Sequence, residues 1–217
     1  MNPGETRDGG GAGSPNLVKG NWLRFPVMDT AEIISAAHQI FLDRLDQVQL
    51  DDLELATPCE RWSVGDLLRH VTGGNRMAVA LLEGADASSI GPLFSGASEL
   101  DGAELVAAAS ESTIAASAAL AGVKDPSRIV HFPIGDVTAG RLQGFRTIDL
   151  ALHAWDLARG IDVDDRLPEP VVDFCLAGLE AMAESVPAGM FGAGPSGELP
   201  AGADAQARLL DLSGRRT

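Results

Sequence analysis

Asp149 and His153 stand four residues apart in Asp149-Leu-Ala-Leu-His153, and on a helix that spacing stacks two side chains on one face. A carboxylate oxygen and an imidazole nitrogen presented to the same point make up most of a metal site. A third candidate lies far upstream: His70, within Asp66-Leu-Leu-Arg-His70-Val-Thr-Gly-Gly-Asn75. Two neutral imidazoles and one carboxylate are the ligand set of catalytic zinc sites that keep a coordination position open. The competing reading is a surface pair on one helix and an ordinary histidine on another. Gly73 and Gly74 favour the metal. Two glycines inside a helix cost about 1 kcal/mol each against alanine, and a turn without side chains beside a histidine leaves space for a ligand.

Imidazole is softer than the all-oxygen shell magnesium prefers, so zinc is the first choice, with nickel(II) and iron(II) also compatible. A di-iron bundle would need more carboxylates and a Glu-x-x-His pair, and neither is present. Asp156, one turn past His153, and Asp66, one turn before His70, are candidates to accept the spare ring N–H of a ligand imidazole. Asp66 could equally be a helix cap and nothing more. Cys59 precedes a helix N-terminus that would favour a thiolate, but no histidine is near it in sequence, and packing is the better reading. Cys175 falls on the buried face of a helix. His38 and His131 have no partner at ligand spacing. No residue is assigned a catalytic role.

The elements that must position these groups are helical. Ile33, Ile34, Ala37, Ile40, Phe41, Leu45 and Val48 recur at helical spacing and predict an amphipathic helix from Thr30 to near Gln49. Ser63-Val-Gly-Asp66 reads as a capping box, so a second helix starts at Val64 and carries His70. A glycine-rich loop through Gly84, Gly91, Pro92 and Gly96 leads to an Ala-rich third helix, about Leu100 to Ala121. Residues 128–138 alternate weakly and predict a short hairpin. A fourth helix, about Arg141 to Arg159, sets a polar stripe of Arg146, Asp149, His153 and Asp156 beside an apolar one and stops at Gly160. Pro168 and Pro170 open a fifth helix, and a short one is expected around Ala205 to Leu212.

The chain has 217 residues and a formal charge of −15. Such an acidic balance repels a phosphate backbone or an anionic bilayer, so neither nucleic acid nor a membrane surface is an expected partner. No apolar run reaches the roughly 18–20 residues needed to span hydrocarbon. Two distant cysteines and no hydrophobic signal segment point to a cytoplasmic protein without a disulfide framework. Residues 1–28, rich in Gly, Pro, Asn and Ser, are expected to be a disordered tail, and Met28 is a candidate start. The expected organisation is a bundle over 29–160 followed by a C-terminal helix and extended tail over 161–217, packed on it.

Thr57-Pro-Cys-Glu-Arg-Trp62-Ser-Val-Gly-Asp66-Leu-Leu-Arg-His70-Val, together with Asp149-x-x-x-His153-Ala-Trp155-Asp156-Leu-Ala-Arg159, resembles the DinB-like metal-binding superfamily. The branch is the actinobacterial one related to mycothiol-dependent maleylpyruvate isomerase. Phe191-Gly, Pro200-Ala-Gly-Ala-Asp204 and Leu209-Leu look like that branch too, so the likeness spans roughly residues 29–214. It implies an all-α, DinB-like four-helix bundle, here with a short β-hairpin insertion and a small C-terminal extension. It also implies a divalent metal near one end of the bundle, held by His70, Asp149 and His153. The chain departs from the isomerase in having Asp149 where that enzyme has Glu, and in a shorter segment after Gly160.

The chemistry the resemblance implies is thiol-dependent: zinc deprotonates the thiol of mycothiol, a possible cosubstrate, and the thiolate adds to a small electrophilic substrate. Transfer releases the conjugate, whereas isomerisation uses the addition to rotate a cis alkene. Two other readings stay open, a non-catalytic metal-binding stress-response bundle and a hydrolase working through metal-activated water. The expected state is a monomer or homodimer.

Overall fold

The structure, a computed structural model, describes residues 28–132, 135–182, 192 and 194–216. The expected N-terminal tail lies, but for Met28, outside the described residues. Among the described residues seven α-helices and one hairpin follow in order: α1 (Thr30–Leu45), α2 (Val64–Leu82), α3 (Gly91–Ser98), α4 (Gly102–Ala121), β1 (Ile129–Phe132), β2 (Gly135–Thr138), α5 (Ala139–Gly160), α6 (Glu169–Met182) and α7 (Ala205–Leu212). Helices α1, α2, α4 and α5 pack on one another as the four-helix bundle that the resemblance implies, and α6 and α7 pack together against the α1/α5 side. Among the described residues no helix is long and apolar enough to cross a membrane.

Local chemistry sets the helix starts. The Asp29 side chain accepts from the Glu32 N–H while Glu32 reaches back to the Asp29 N–H, and Ser63 and Asp66 do the same at the head of α2. Helix α1 ends earlier than its apolar spacing predicts. The chain turns after Leu45, the Val48 N–H bonds to the Leu45 carbonyl at 3.1 Å, and Val48 still packs on the core from the turn. Helix α3 replaces the expected loop: Pro92 sits in its first turn, where a missing N–H costs nothing. The hairpin pairs Val130 with Val137 and His131 with Asp136.

Helix α5 positions the polar stripe. It is buried nearly all round, because α1, α2, α6 and the hairpin strand β2 all pack on it. A helix in that place is expected to be apolar on every side, yet Arg146, His153 and Asp156 on it are all buried. Buried charges need partners, and the partners define the site. Behind α5, Ile148, Leu152 and Trp155 join Val171, Val172, Cys175 and Leu209 in a core that ties the C-terminal helices to the bundle.

Candidate metal centre

Helices α2 and α5 bring His70 against Asp149 and His153. His70 Nε2 lies 3.6 Å from Asp149 Oδ1, and His153 Nε2 lies 3.5 Å from the same oxygen. One donor atom from each residue falls within 4.8 Å of the others. Neither contact is a hydrogen bond; His70 Nε2 is buried and has no hydrogen-bond partner. Two atoms bound to one tetrahedral ion at about 2.0–2.2 Å stand about 3.3–3.6 Å apart, which is the spacing found here. An orphaned buried nitrogen facing a carboxylate oxygen and a second imidazole nitrogen therefore fits a divalent cation held by His70, Asp149 and His153.

The other side of each ligand is fixed. His153 Nδ1 lies 3.0 Å from Asp156 Oδ2, so this nitrogen donates and Nε2 is the one turned toward Asp149. Asp149 gives its outer oxygen, Oδ2, to Arg146 Nη1 at 2.9 Å and keeps Oδ1 toward the histidines. Arg146 is anchored in turn by Asn75 Oδ1 at 3.1 Å, and Asn75 Nδ2 donates to Thr113 Oγ1 at 3.0 Å. The Trp62 ring covers both imidazoles, 4.8 Å from His70 and 5.7 Å from His153 between ring centres.

Charge follows this geometry. Burial works to raise the Asp149 pKa, but the charges of Arg146 and His153 hold it well below the usual carboxylate range. Burial works to lower that of His153, yet the charge of Asp149 close by and the hydrogen bond to Asp156 raise it well above an ordinary imidazole. Asp156 is depressed to about 2: burial opposes this, and the hydrogen bond from His153 and the Arg215 guanidinium overcome it.

Of the two candidates to orient the imidazoles, the structure brings only Asp156 to its histidine. Asp66 is spent on the helix cap and on Arg69, with Oδ2 to the Ser63 N–H and Oδ1 to Arg69 Nη1. The space expected beside Gly73 and Gly74 is already taken. A Cβ on Gly73 would meet the Phe94 ring at 2.6 Å, and one on Gly74 would meet Arg146 Nη1 at 2.5 Å. The glycines admit protein side chains that wall and charge the site.

Cys59 is not the packing residue expected from the sequence. Its half-buried Sγ lies 3.1 Å from Asp156 Oδ2 and 3.9 Å from His153 Nδ1. Arg215, from beyond α7, completes this second cluster. Cys59, His153 and Asp156 also have donor atoms close enough to hold an ion, but the Arg215 guanidinium already sits on Asp156 at 2.7 Å, and a second cation beside it would be repelled. No spacing in the sequence points to Cys59 or Arg215, since both reach Asp156 across long loops of chain. His38 is buried, bonds through Nδ1 to the Ile34 carbonyl, and is pushed down to about 4 by burial. His131 pairs with Asp136 on the exposed hairpin. Burial pushes the Cys175 thiol up to about 12.

The family model for the mycothiol maleylpyruvate isomerase N-terminal domain matches residues 34–158. Uncharacterized proteins of two Mycobacterium tuberculosis strains are each 33% identical over 144 residues, covering 64% of this chain and 74% of the relative. No solved structure matches. The matched stretch runs from α1 to the end of α5 and contains all three converging donors, so the chain belongs to the mycothiol maleylpyruvate isomerase N-terminal domain family.

Proposed function

We propose that this protein binds one divalent metal ion, zinc in the first place, at His70, Asp149 and His153, and uses it to activate a small thiol such as mycothiol for transfer to, or isomerisation of, a small electrophile. The observation that carries the reading is the buried, unpartnered His70 Nε2 facing Asp149 Oδ1 beside His153 Nε2. When bound, the ion would supply Lewis acidity that lowers the pKa of a thiol brought to it.

The protein's own groups do the rest. Asp156 holds the proton on His153 Nδ1 and thereby keeps Nε2 available as a donor. Arg146 draws charge onto the outer oxygen of Asp149 and orients the inner one. Trp62 walls the two imidazoles and excludes water from that side. The charges of Asp149 and Arg146 cancel, as do those of Asp156 and Arg215, so two positive charges on a bound ion stay uncompensated and favour an anionic incoming ligand. A thiolate meets that requirement, and the family's description supports a thiol cosubstrate.

Metal analysis of the purified protein, with a thermal-shift screen of thiols, tests the reading. The expected result is one metal ion per chain and a rise in Tm with mycothiol in the metal-loaded protein alone. Protein that holds no metal, or a thiol response that persists in His70→Ala, would overturn it. Substrate cleaved by water with no thiol incorporated would point to hydrolysis.

A further inference from the structure

The residue that braces the metal centre from behind comes from the far end of the chain. Arg215 follows α7, yet its guanidinium is buried and grips Asp156 with both ends of its fork. Nε donates to Oδ1 at 3.1 Å and Nη2 to Oδ2 at 2.7 Å, while Nη1 bonds the Ser213 carbonyl at 3.1 Å. Asp156 is fully buried. The planar fork fixes both carboxylate oxygens in position and direction, which a single donor cannot do. The same Oδ2 that accepts from Arg215 accepts from His153 Nδ1. The segment carrying Arg215 is itself pressed in place: Gly192 lies so close to the Ser213 carbonyl that no Cβ would fit there. Arg215 lies outside the residues matched by the family model, which end at 158.

We propose that Arg215 is a positioning residue of the metal centre, which clamps Asp156 so that His153 keeps its Nδ1 proton inward and its Nε2 lone pair toward Asp149 and His70. The proposal rests on the metal reading above and adds a part to it: the C-terminal segment helps to set metal affinity by acting through two residues in series. Without the clamp, Asp156 can rotate, and the imidazole loses the bond that selects its tautomer.

Cobalt(II) alone, titrated against a competing chelator, tests this in the full chain, with melting curves to check the fold. Arg215→Ala is expected to weaken cobalt binding 10- to 100-fold. Arg215→Lys, which keeps the charge but not the fork, should lose less. Arg216→Ala, on the same segment but paired with Asp211 at the surface, should bind as wild type. Asp156→Asn should weaken binding to a similar degree, and adding Arg215→Ala to it should cost less than about twofold more, because the arginine would then have nothing to act through. A folded Arg215→Ala protein binding as wild type, or losses that multiply in the double variant, would overturn the proposal. Should Arg215→Ala not fold, wild-type affinity in Arg215→Lys would overturn it. A wild-type protein that binds no cobalt would instead bring down the metal reading itself, and this proposal with it.

Discussion

The two nitrogens of His153 face differently built surroundings. On the Nδ1 side, Asp156, Arg215 and Cys59 close around one carboxylate: both of its oxygens are bonded to the guanidinium, and one also accepts from the imidazole. On the Nε2 side, His70 and Asp149 approach no nearer than 3.5 Å, and a buried nitrogen is left unpartnered. A folded chain rarely leaves a buried polar atom unsatisfied when a partner is at hand. Under the proposed function the closed side is structure, and the open side is where the ion would be accommodated. One imidazole joins the two.

The contrast can be broken most severely from the closed side. Asp156→Ala strands the buried Arg215 guanidinium, and losing one partner of a buried ion pair should cost about 3–5 kcal/mol; urea unfolding of the metal-free protein measures it. Next in size is a pH effect at His38, which is buried like His153 but bonds a backbone carbonyl and feels the Arg146 charge. Its pKa of about 4 lies below the ordinary 6.5, so between those values the unfolded chain binds more protons than the folded one. Stability is thus complete above pH 6.5 and should fall as pH drops toward 4, by up to about 3 kcal/mol. His38→Gln should flatten that slope in urea midpoints taken at a series of pH values.

Gly74→Ala sharpens the comparison from the open side. The new methyl would displace the Arg146 guanidinium that holds Asp149 Oδ2. Overpacking at about 1–3 kcal/mol, against about 1 kcal/mol gained in helix propensity, leaves a net cost of about 1 kcal/mol, with weakened cobalt binding in the same titration. The smallest change in stability belongs to His70→Ala. That side chain is partly exposed and makes no hydrogen bond through Nε2, so the metal-free melting curve should shift by no more than about 0.5 kcal/mol. Metal binding should nevertheless disappear. A large destabilisation there would show that the open side is structural after all.

The open side was legible in the sequence because its signals are local. Asp149 and His153 sit at helical spacing, Asp156 is one turn on, and the motif around His70 carries the family likeness. The bundle was legible for the same reason, through apolar periodicity and the Ser63–Asp66 capping box. That box also decides between the two readings given for Asp66, whose oxygens serve the cap and Arg69. The closed side was not legible, because it is assembled from residues 59, 153, 156 and 215, and no period or motif relates groups so far apart. Gly73 and Gly74 were read as empty space because a sequence does not say which side chain will fill it. Helix α3 was taken for a loop on the strength of Gly91, Pro92 and Gly96, although proline in a first turn is also a start signal.

Trp62, lying over both imidazoles, makes the protein its own optical sensor. A paramagnetic ion seated between those rings would quench the indole emission by close-range electron and energy transfer, while zinc, with a filled d shell, would leave it bright. Comparing the two ions in unlabelled protein, with Trp62→Phe as the control that leaves only the Trp22 and Trp155 emission, would read occupancy from the share of light that Trp62 contributes.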